Sequence, residues 1–302
     1  MTPLARIDYG APTVTVAIAS DDNYVPLAAA MLASLADNAN PRTVYEIVIL
    51  DCGITDYRRR VLDWFLRRLT PLTVRYVQVG HALDGLYASR HATVATYARL
   101  LIPETLPNHD VVIYLDVDTI VLTDIARLCT WDLGRSYLAA TTNCVVLSGM
   151  RCTVAEFGLS HRDYLTSHLH LTSSEADSYF NAGVLLLNNQ RIKHDRIFES
   201  ILRSHASIRC AFWDQDLLNL ALRSGRSLLD IRWNVANAHE QTFVRVHPDF
   251  DDLMAARESP FIVHFTIKPW DQRPHRYAEY FWYYLRRTPF YEQCPPTQRA
   301  AL

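Results

Sequence analysis

Thr13-Val14-Thr15-Val16-Ala17-Ile18-Ala19, followed at once by Ser20-Asp21-Asp22-Asn23, is the stretch from which the fold is read. The first seven residues are short, largely apolar and β-branched, which suits a strand buried on both faces. The polar cluster behind them marks the exit into a loop. Outward from there the pattern repeats. Residues 24–35 are rich in alanine and leucine and read as a helix. Tyr45-Glu46-Ile47-Val48-Ile49-Leu50 is a second buried strand. Residues 55–70 set Val61, Leu62, Phe65, Leu66 and Leu69 at helical spacing, with Arg58, Arg59, Arg67 and Arg68 mostly around the other side as a solvated face. A third strand follows at 72–79. Strand, helix, strand, helix, strand is the order of a parallel sheet with helices on its faces.

The alternation returns at Val111-Val112-Ile113-Tyr114-Leu115, a strand that ends on Asp116. Further strands are expected at 137–142, 183–187, 227–231 and 261–265, and helices at 191–205, 215–223 and 275–287. Repeats, low-complexity tracts and glycine- or proline-rich linkers are absent from the sequence. The expected fold class is therefore α/β. One domain over 13–270 has a mixed, mainly parallel central sheet flanked by helices. An N-terminal extension covers 1–12 and a C-terminal helical, aromatic and basic tail covers 271–302. Ligands of such sheets bind beyond the carboxyl ends of the strands, where the polar residues of this chain fall.

Bulk properties narrow the function. The 302 residues are 49% hydrophobic and 21% charged, enough apolar material for a sizeable core. A net charge of −2 disfavours nucleic acid as a partner. The six cysteines are scattered without a C-x-x-C pair, as thiols in a reducing compartment are. The opening Met1-Thr2-Pro3-Leu4-Ala5-Arg6-Ile7-Asp8 lacks the basic-then-apolar run of a signal peptide. No window reaches the ~18 apolar residues of a membrane span. The expected location is cytoplasmic, with peripheral attachment to the inner face of a membrane as a further option.

Asp116-Val117-Asp118 carries the chemistry. Two carboxylates at the end of a buried strand are costly without a partner, and a divalent cation removes that cost. The pair alone reads first as a strand-end turn with two exposed aspartates. His264, within the apolar run Phe261-Ile262-Val263-His264-Phe265, adds an imidazole, with Lys268 and Trp270 close behind. Two carboxylates and one nitrogen favour Mn²⁺ over Mg²⁺. Such an ion offsets charge on a departing nucleotide diphosphate, and Lys268 adds a second positive charge there.

Six blocks, in one order, resemble glycosyltransferase family 8, which holds bacterial lipopolysaccharide α-galactosyl- and α-glucosyltransferases and glycogenin. They are Ala19-Ser20-Asp21-Asp22-Asn23-Tyr24, Arg90-His91-Ala92-Thr93-Val94-Ala95-Thr96-Tyr97-Ala98-Arg99-Leu100 and Tyr114-Leu115-Asp116-Val117-Asp118. After these come Tyr179-Phe180-Asn181-Ala182-Gly183-Val184-Leu185-Leu186-Leu187-Asn188, Asp214-Gln215-Asp216-Leu217-Leu218-Asn219 and His264-Phe265-Thr266-Ile267-Lys268-Pro269-Trp270.

The resemblance implies a GT-A fold, a UDP-hexose donor (galactose or glucose), Mn²⁺, and transfer to an acceptor hydroxyl with retention. It also implies roles. Asp21, Asn23 and Tyr24 hold uridine and ribose. Asp116, Asp118 and His264 ligate the metal, with Val117 between them in the donor site. Lys268 touches the diphosphate, and Arg99 the donor phosphate or sugar. Asn181, Asp214 and Gln215 line the sugar pocket, with Gln215 beside the anomeric carbon. His91 and Asn143 sit where donor or acceptor is met. Structural duties explain several of the same residues: N-capping for Asp21-Asp22 and for Asp214 and Gln215, and a helix-surface ion pair for Arg99.

The chain departs from the family pattern between His264 and Lys268. Only Phe265, Thr266 and Ile267 intervene, and the usual glycine is missing. Residues 143–177 match no family block and are expected to form a variable lid or acceptor-facing segment. The spacing of His161, His168 and His170 within them suits scattered surface histidines. The aromatic stretch 277–287 fits either membrane contact or docking on the catalytic domain. Three other functions are weighed. A sugar-1-phosphate nucleotidyltransferase would want glycine after the first strand, where Ser20-Asp21-Asp22-Asn23 has none. The others are a self-glucosylating glycogenin-like protein and a non-catalytic sugar-nucleotide-binding protein.

Overall fold

The computed structural model describes residues 12–83, 94–148, 152–204, 208–237, 250–270 and 276–293. Strands run at Thr13–Ser20 (β1), Val44–Asp51 (β2), Leu72–Gln78 (β3), Val111–Leu115 (β4), Thr119–Val121 (β5) and Leu138–Thr142 (β6). They continue at Thr153–Val154 (β7), Leu159–Ser160 (β8), Phe180–Asn188 (β9), Arg226–Leu228 (β10), Val235–Ala236 (β11) and Ile262–His264 (β12). Seven make one sheet in the order β10-β6-β9-β4-β1-β2-β3. Pairing is parallel throughout except at β9, which runs antiparallel to both β4 and β6. That reversal places the start of β9 beside the end of β4, so the block around Asn181 meets the block around Asp116.

The first strand is buried from Val14 to Ser20, as its unbroken apolar run requires. Helix Val25–Asn38 covers one face of the sheet and buries every residue from Leu27 to Leu35. Helix Asp56–Leu66, capped by the Thr55 side chain, lies on the same face and buries Leu62, Phe65 and Leu66. Each fully buried Leu, Ile or Phe contributes roughly 1.5–3 kcal/mol relative to exposure. The opposite face is covered by residues 97–106, helix Ile197–Ser204 and helix Trp213–Ala221, which pack with Val112, Tyr114, Leu185 and Leu187.

Several expected elements take a different form. The helix expected at 191–205 is two, Asn189–His194 and Ile197–Ser204, broken where Arg196 adopts φ 53°. The apolar spacing survives such a break, so periodicity alone does not reveal it. The strand expected at 227–231 shortens to β10 and gives way to the turn Ile231–Asn234, started by the Asp230 side chain on the Arg232 amide. Residues 152–179 build a small core of their own from Val154, Tyr164, Leu165, Leu169, Leu171, Ala176 and Tyr179, which Val146 and Leu147 join. His161 and His168 are half-buried there and His170 is exposed; among the described residues they join no metal-binding group.

The aromatic tail forms helix Ala278–Arg286. It buries Phe281, Trp282, Tyr284 and Leu285 and leaves Tyr280 and Tyr283 exposed. Asn38 Nδ2 donates to Tyr284 Oη at 3.2 Å, and Arg287 pairs with Asp37, so this helix docks on Val25–Asn38. Among the described residues no helix is long and apolar enough to cross a membrane.

Candidate active site

A second, three-stranded sheet, β11-β12-β5, builds the site. β4 ends at Leu115, the chain turns through Asp116-Val117-Asp118, and β5 begins at Thr119. β5 pairs antiparallel with β12 so that His264 lies opposite Thr119. The turn is stapled on both sides. Asp116 N–H donates to Gly183 O (2.8 Å), Phe265 N–H to Asp118 O (2.8 Å) and Thr119 Oγ1 to Asp116 O (2.8 Å). Val117 is buried in the larger core and anchors the turn between its two carboxylates.

These constraints bring Asp116, Asp118 and His264 together, with ligand atoms all within 4.8 Å of one another. His264 Nε2 lies 3.3 Å from Asp118 Oδ1 and 3.9 Å from Asp116 Oδ2. Asp116 divides its work. Oδ1 accepts from Arg99 Nη2 (2.8 Å) and Tyr114 Oη (2.9 Å), which leaves Oδ2 on the imidazole side. Asp118 Oδ2 pairs with Lys268 Nζ. Burial pushes the Asp118 carboxyl up, but Lys268 and His264 outweigh it and hold the group well below the usual carboxylate range. Burial likewise opposes the Lys268 ammonium, and Asp118 more than restores it.

Gly183 is indispensable to this arrangement. A Cβ there would stand 2.3 Å from His264 Cε1, 2.7 Å from Nδ1 and 2.9 Å from Asp116 Oδ2. Two hard oxygen donors and one imidazole, packed against a backbone with no side chain, fit a divalent transition-metal ion.

The group opens on a cavity of about 860 Å³. Asp21, Tyr24, Arg99, Asn143, Asn181, Gln215 and Lys268 line it beside Asp116 and Asp118, so residues from all six quoted blocks of sequence converge there. Asp21 Oδ1 accepts from the Asn23 and Tyr24 amides at 2.9 and 3.2 Å, so it also caps the turn into the first helix. Asp22 is used elsewhere, accepting from Thr55 N–H and Oγ1 and pairing with Arg58. Asn23 does not line the cavity with its neighbours. Tyr24 presents its ring 5.4 Å from Lys268 Nζ.

Arg99 is 4% exposed, not a surface residue. Besides Asp116 it meets Asp214, whose Oδ2 is 2.9 Å from Nε, and it donates to Ala182 O. Burial alone would lower its pKa; Asp116 and Asp214 reverse this and keep it charged. Burial raises the Asp214 carboxyl, and Arg99 and the Thr96 hydroxyl (2.6 Å) partly offset the rise.

Gln215 is held at both ends. Oε1 accepts from Ala182 N–H (3.2 Å) and Asn143 Nδ2 (3.3 Å), and Nε2 donates to Tyr179 Oη (3.0 Å). Tyr179 in turn donates to Asp216 at 2.6 Å. Helix Trp213–Ala221 carries Asp214 and Gln215 in its first turn, and its N-cap, Phe212, makes no side-chain capping bond. Asn181 Oδ1 accepts from Gly183 N–H and Asn234 Nδ2, both at 2.8 Å. His91 lies outside the described residues.

The short link from His264 to Lys268 is pinned by Asn237, a residue the sequence did not single out. Its Oδ1 accepts from Ile267 N–H (3.0 Å) and its Nδ2 donates to Ile267 O (2.6 Å), so Lys268 reaches Asp118 without the glycine. Also missed were Thr96, Phe212 and Trp213, which line the cavity, and Asn234 behind His264. Trp213 takes φ 46°, a strained backbone for a bulky residue, directly before Asp214. Nothing in a single sequence marks Phe212, Trp213, Asn234 or Asn237; Thr96 and Gly183 stood in quoted blocks without being singled out.

The sequence profile described as Glycosyl transferase family 8 matches residues 15–273. The chain belongs to this family. Family 8 membership makes it a glycosyltransferase with a nucleotide-sugar donor. General stress protein A of Bacillus subtilis is 25% identical over 289 residues, covering 89% of this chain and 92% of that one. Among solved structures, the WbbM bifunctional glycosyltransferase superposes with a TM-score of 0.83 at 24% identity, covering 97% of this chain and 52% of that one. The galactosyltransferase LgtC, solved with donor and acceptor sugar analogs, gives a TM-score of 0.74 at 23% identity, over 96% of this chain and 100% of LgtC. The family 8 chain thus has the GT-A fold of these two enzymes.

Proposed function

We propose that this chain transfers a hexose, galactose or glucose, from a UDP-sugar to an acceptor hydroxyl, with retention of anomeric configuration and with Mn²⁺. The observation that carries the reading is the convergence of Asp116, Asp118 and His264 at the mouth of a cavity that Gln215 and Lys268 also line. When bound there, Mn²⁺ supplies Lewis-acid stabilisation of the diphosphate leaving group.

Roles follow for the chain's own residues. Asp21 and Tyr24, just after β1, hold the uridine and ribose. Lys268 moves from its pairing with Asp118 to the diphosphate and adds charge where the leaving group develops it. Arg99 acts through its grip on Asp116 and Asp214, and with them fixes the wall of the sugar pocket. Asn181, Asp214 and Gln215 contact the hexose. Residues 143–177 face the acceptor, with Asn143 at their root. Membrane-surface contact, where it occurs, uses the exposed Tyr280 and Tyr283.

Gln215 bears on the route. An amide is a weak nucleophile, and an Oε1 that already accepts two hydrogen bonds is weaker still. A front-face reaction fits better. The leaving phosphate oxygen takes the acceptor proton, while the fixed Gln215 dipole stabilises positive charge on the sugar ring. A panel of nucleotide sugars incubated with Mn²⁺ and scored for UDP release tests the donor without an acceptor. UDP-galactose or UDP-glucose should be hydrolysed slowly, and a chelator should stop the reaction. Undiminished turnover in chelator refutes the metal reading, and a glycosyl adduct trapped on Gln215 or Asp214 refutes the front-face route.

A further inference from the structure

His264 can serve a cation at Nε2 only if its ring proton sits on Nδ1, and the structure contains a device that fixes this. The Gly183 backbone N–H can only donate, so the Asn181 atom 2.8 Å away is the carbonyl oxygen. Asn234 lies 2.8 Å from the same oxygen and must present its NH₂ there. The Asn234 carbonyl then faces His264 Nδ1 at 3.0 Å, and an acceptor in that position requires an N–H. Both asparagines are therefore oriented by a group that has no alternative, a peptide N–H. Asn234 is 7% exposed and His264 5%, so water has little room to replace either partner.

We infer that Asn234, oriented through Asn181 by the Gly183 amide, is a positioning residue that locks His264 in the Nδ1–H tautomer and aims the Nε2 lone pair at the Asp116–Asp118 pair. One glycine serves both halves of the site. Its missing side chain admits the imidazole, its carbonyl accepts from the Asp116 amide, and its N–H starts the relay. Outer partners of ligating histidines that fix the tautomer are worth about 10–100-fold in metal affinity.

Two measurements test this, and only the second rests on the metal reading proposed above. Long-range ¹H–¹⁵N spectra of protein labelled at histidine, metal-free and in mildly alkaline buffer, report the tautomer of each ring. His264, assigned by its loss in His264→Gln, should be Nδ1–H in the wild-type chain. It should remain so in Asn234→Asp, whose carboxylate can only accept, and shift toward Nε2–H in Asn234→Leu. Mn²⁺ titration followed by electron paramagnetic resonance should show Asn234→Leu binding about 10–100-fold more weakly than wild type. A wild-type Nε2–H tautomer overturns the inference without any variant, as does wild-type Mn²⁺ affinity in a folded Asn234→Leu. If the wild-type chain binds no Mn²⁺, the metal reading fails, while the tautomer result still decides the relay.

Discussion

Replacing Gly183 by alanine adds one methyl group at the most crowded point of the site. The new Cβ would stand 2.3 Å from His264 Cε1, whereas ordinary van der Waals contact begins near 3.4 Å. The imidazole must therefore retreat by about 1 Å. It has nowhere to go: the ring is buried, and its Nδ1 is bound to Asn234 at 3.0 Å. On the far side of the same methyl stands Asp116 Oδ2 at 2.9 Å, so both ligands are pushed from one point. Metal–ligand distances tolerate roughly 0.2 Å, so a 1 Å displacement amounts to losing the imidazole. Mn²⁺ affinity should fall by about 100-fold or more. Overpacking should cost about 1–3 kcal/mol of stability, visible as a lower melting temperature with the far-ultraviolet spectrum intact. The assay is the concentration of free Mn²⁺ by electron paramagnetic resonance, with UDP release from the preferred donor alongside. A folded Gly183→Ala chain that binds Mn²⁺ as the wild type does would refute the steric reasoning and the placement of the ion.

Three further perturbations probe other parts of the site. Arg99→Met leaves Asp116 and Asp214 without their buried counter-charge and should cost about 3–5 kcal/mol in urea denaturation, with a loss under 1 kcal/mol contradicting the buried network. Asp216, which burial raises from 3.8 to about 6, binds a proton more tightly folded than unfolded. The Asp216 contribution is thus fully present below about pH 4 and is lost as pH rises through about 6, by roughly 3 kcal/mol in all; Asp216→Asn should remove that component of the pH dependence, and an unchanged profile assigns it to other groups. Lys268→Met should lower kcat by about 10²-fold while Mn²⁺ affinity holds or improves, because Asp118 is released from a competing cation; weaker Mn²⁺ binding would show that Lys268 organises the site instead.

The β-α-β opening, the C-terminal strand ends and the Asp116–Asp118–His264 group were legible because each rests on residue type at fixed spacing. An unbroken apolar run such as 13–19 has few ways to be buried, and the carboxylate pair at its neighbour's end became telling once His264 in a second apolar run joined it. Arg99 illustrates the limit. Its place in a family block was readable, but its burial between two carboxylates depends on β9 running antiparallel and on helix Trp213–Ala221 lying across it. Asn234 and Asn237 were invisible for a related reason. Their amides complete geometry set by strands far away in sequence, and an isolated asparagine carries no periodic signal. The break at Arg196 and the small core of residues 152–179 were missed because helical spacing and short apolar clusters do not encode where a chain stops or folds back.

The junction between β6 and β9 has a consequence for how such enzymes diversify. Thr142 pairs with Phe180, and the Asn143 amide donates to Tyr179 O at 2.8 Å, so the intervening chain departs and returns through adjacent positions of one sheet. That chain carries its own apolar nucleus, which makes it a cassette plugged into a fixed two-pin socket. A foreign cassette needs matching pins and a hydroxyl in the place of Tyr164, which donates to the buried Asp216 at 2.6 Å and accepts from Ala211 N–H at 2.7 Å, while closing a longer loop across the same gap adds little entropy per added residue. Grafting 144–178 from a relative is therefore the economical way to ask whether acceptor choice travels with it, leaving the ion-binding strands untouched.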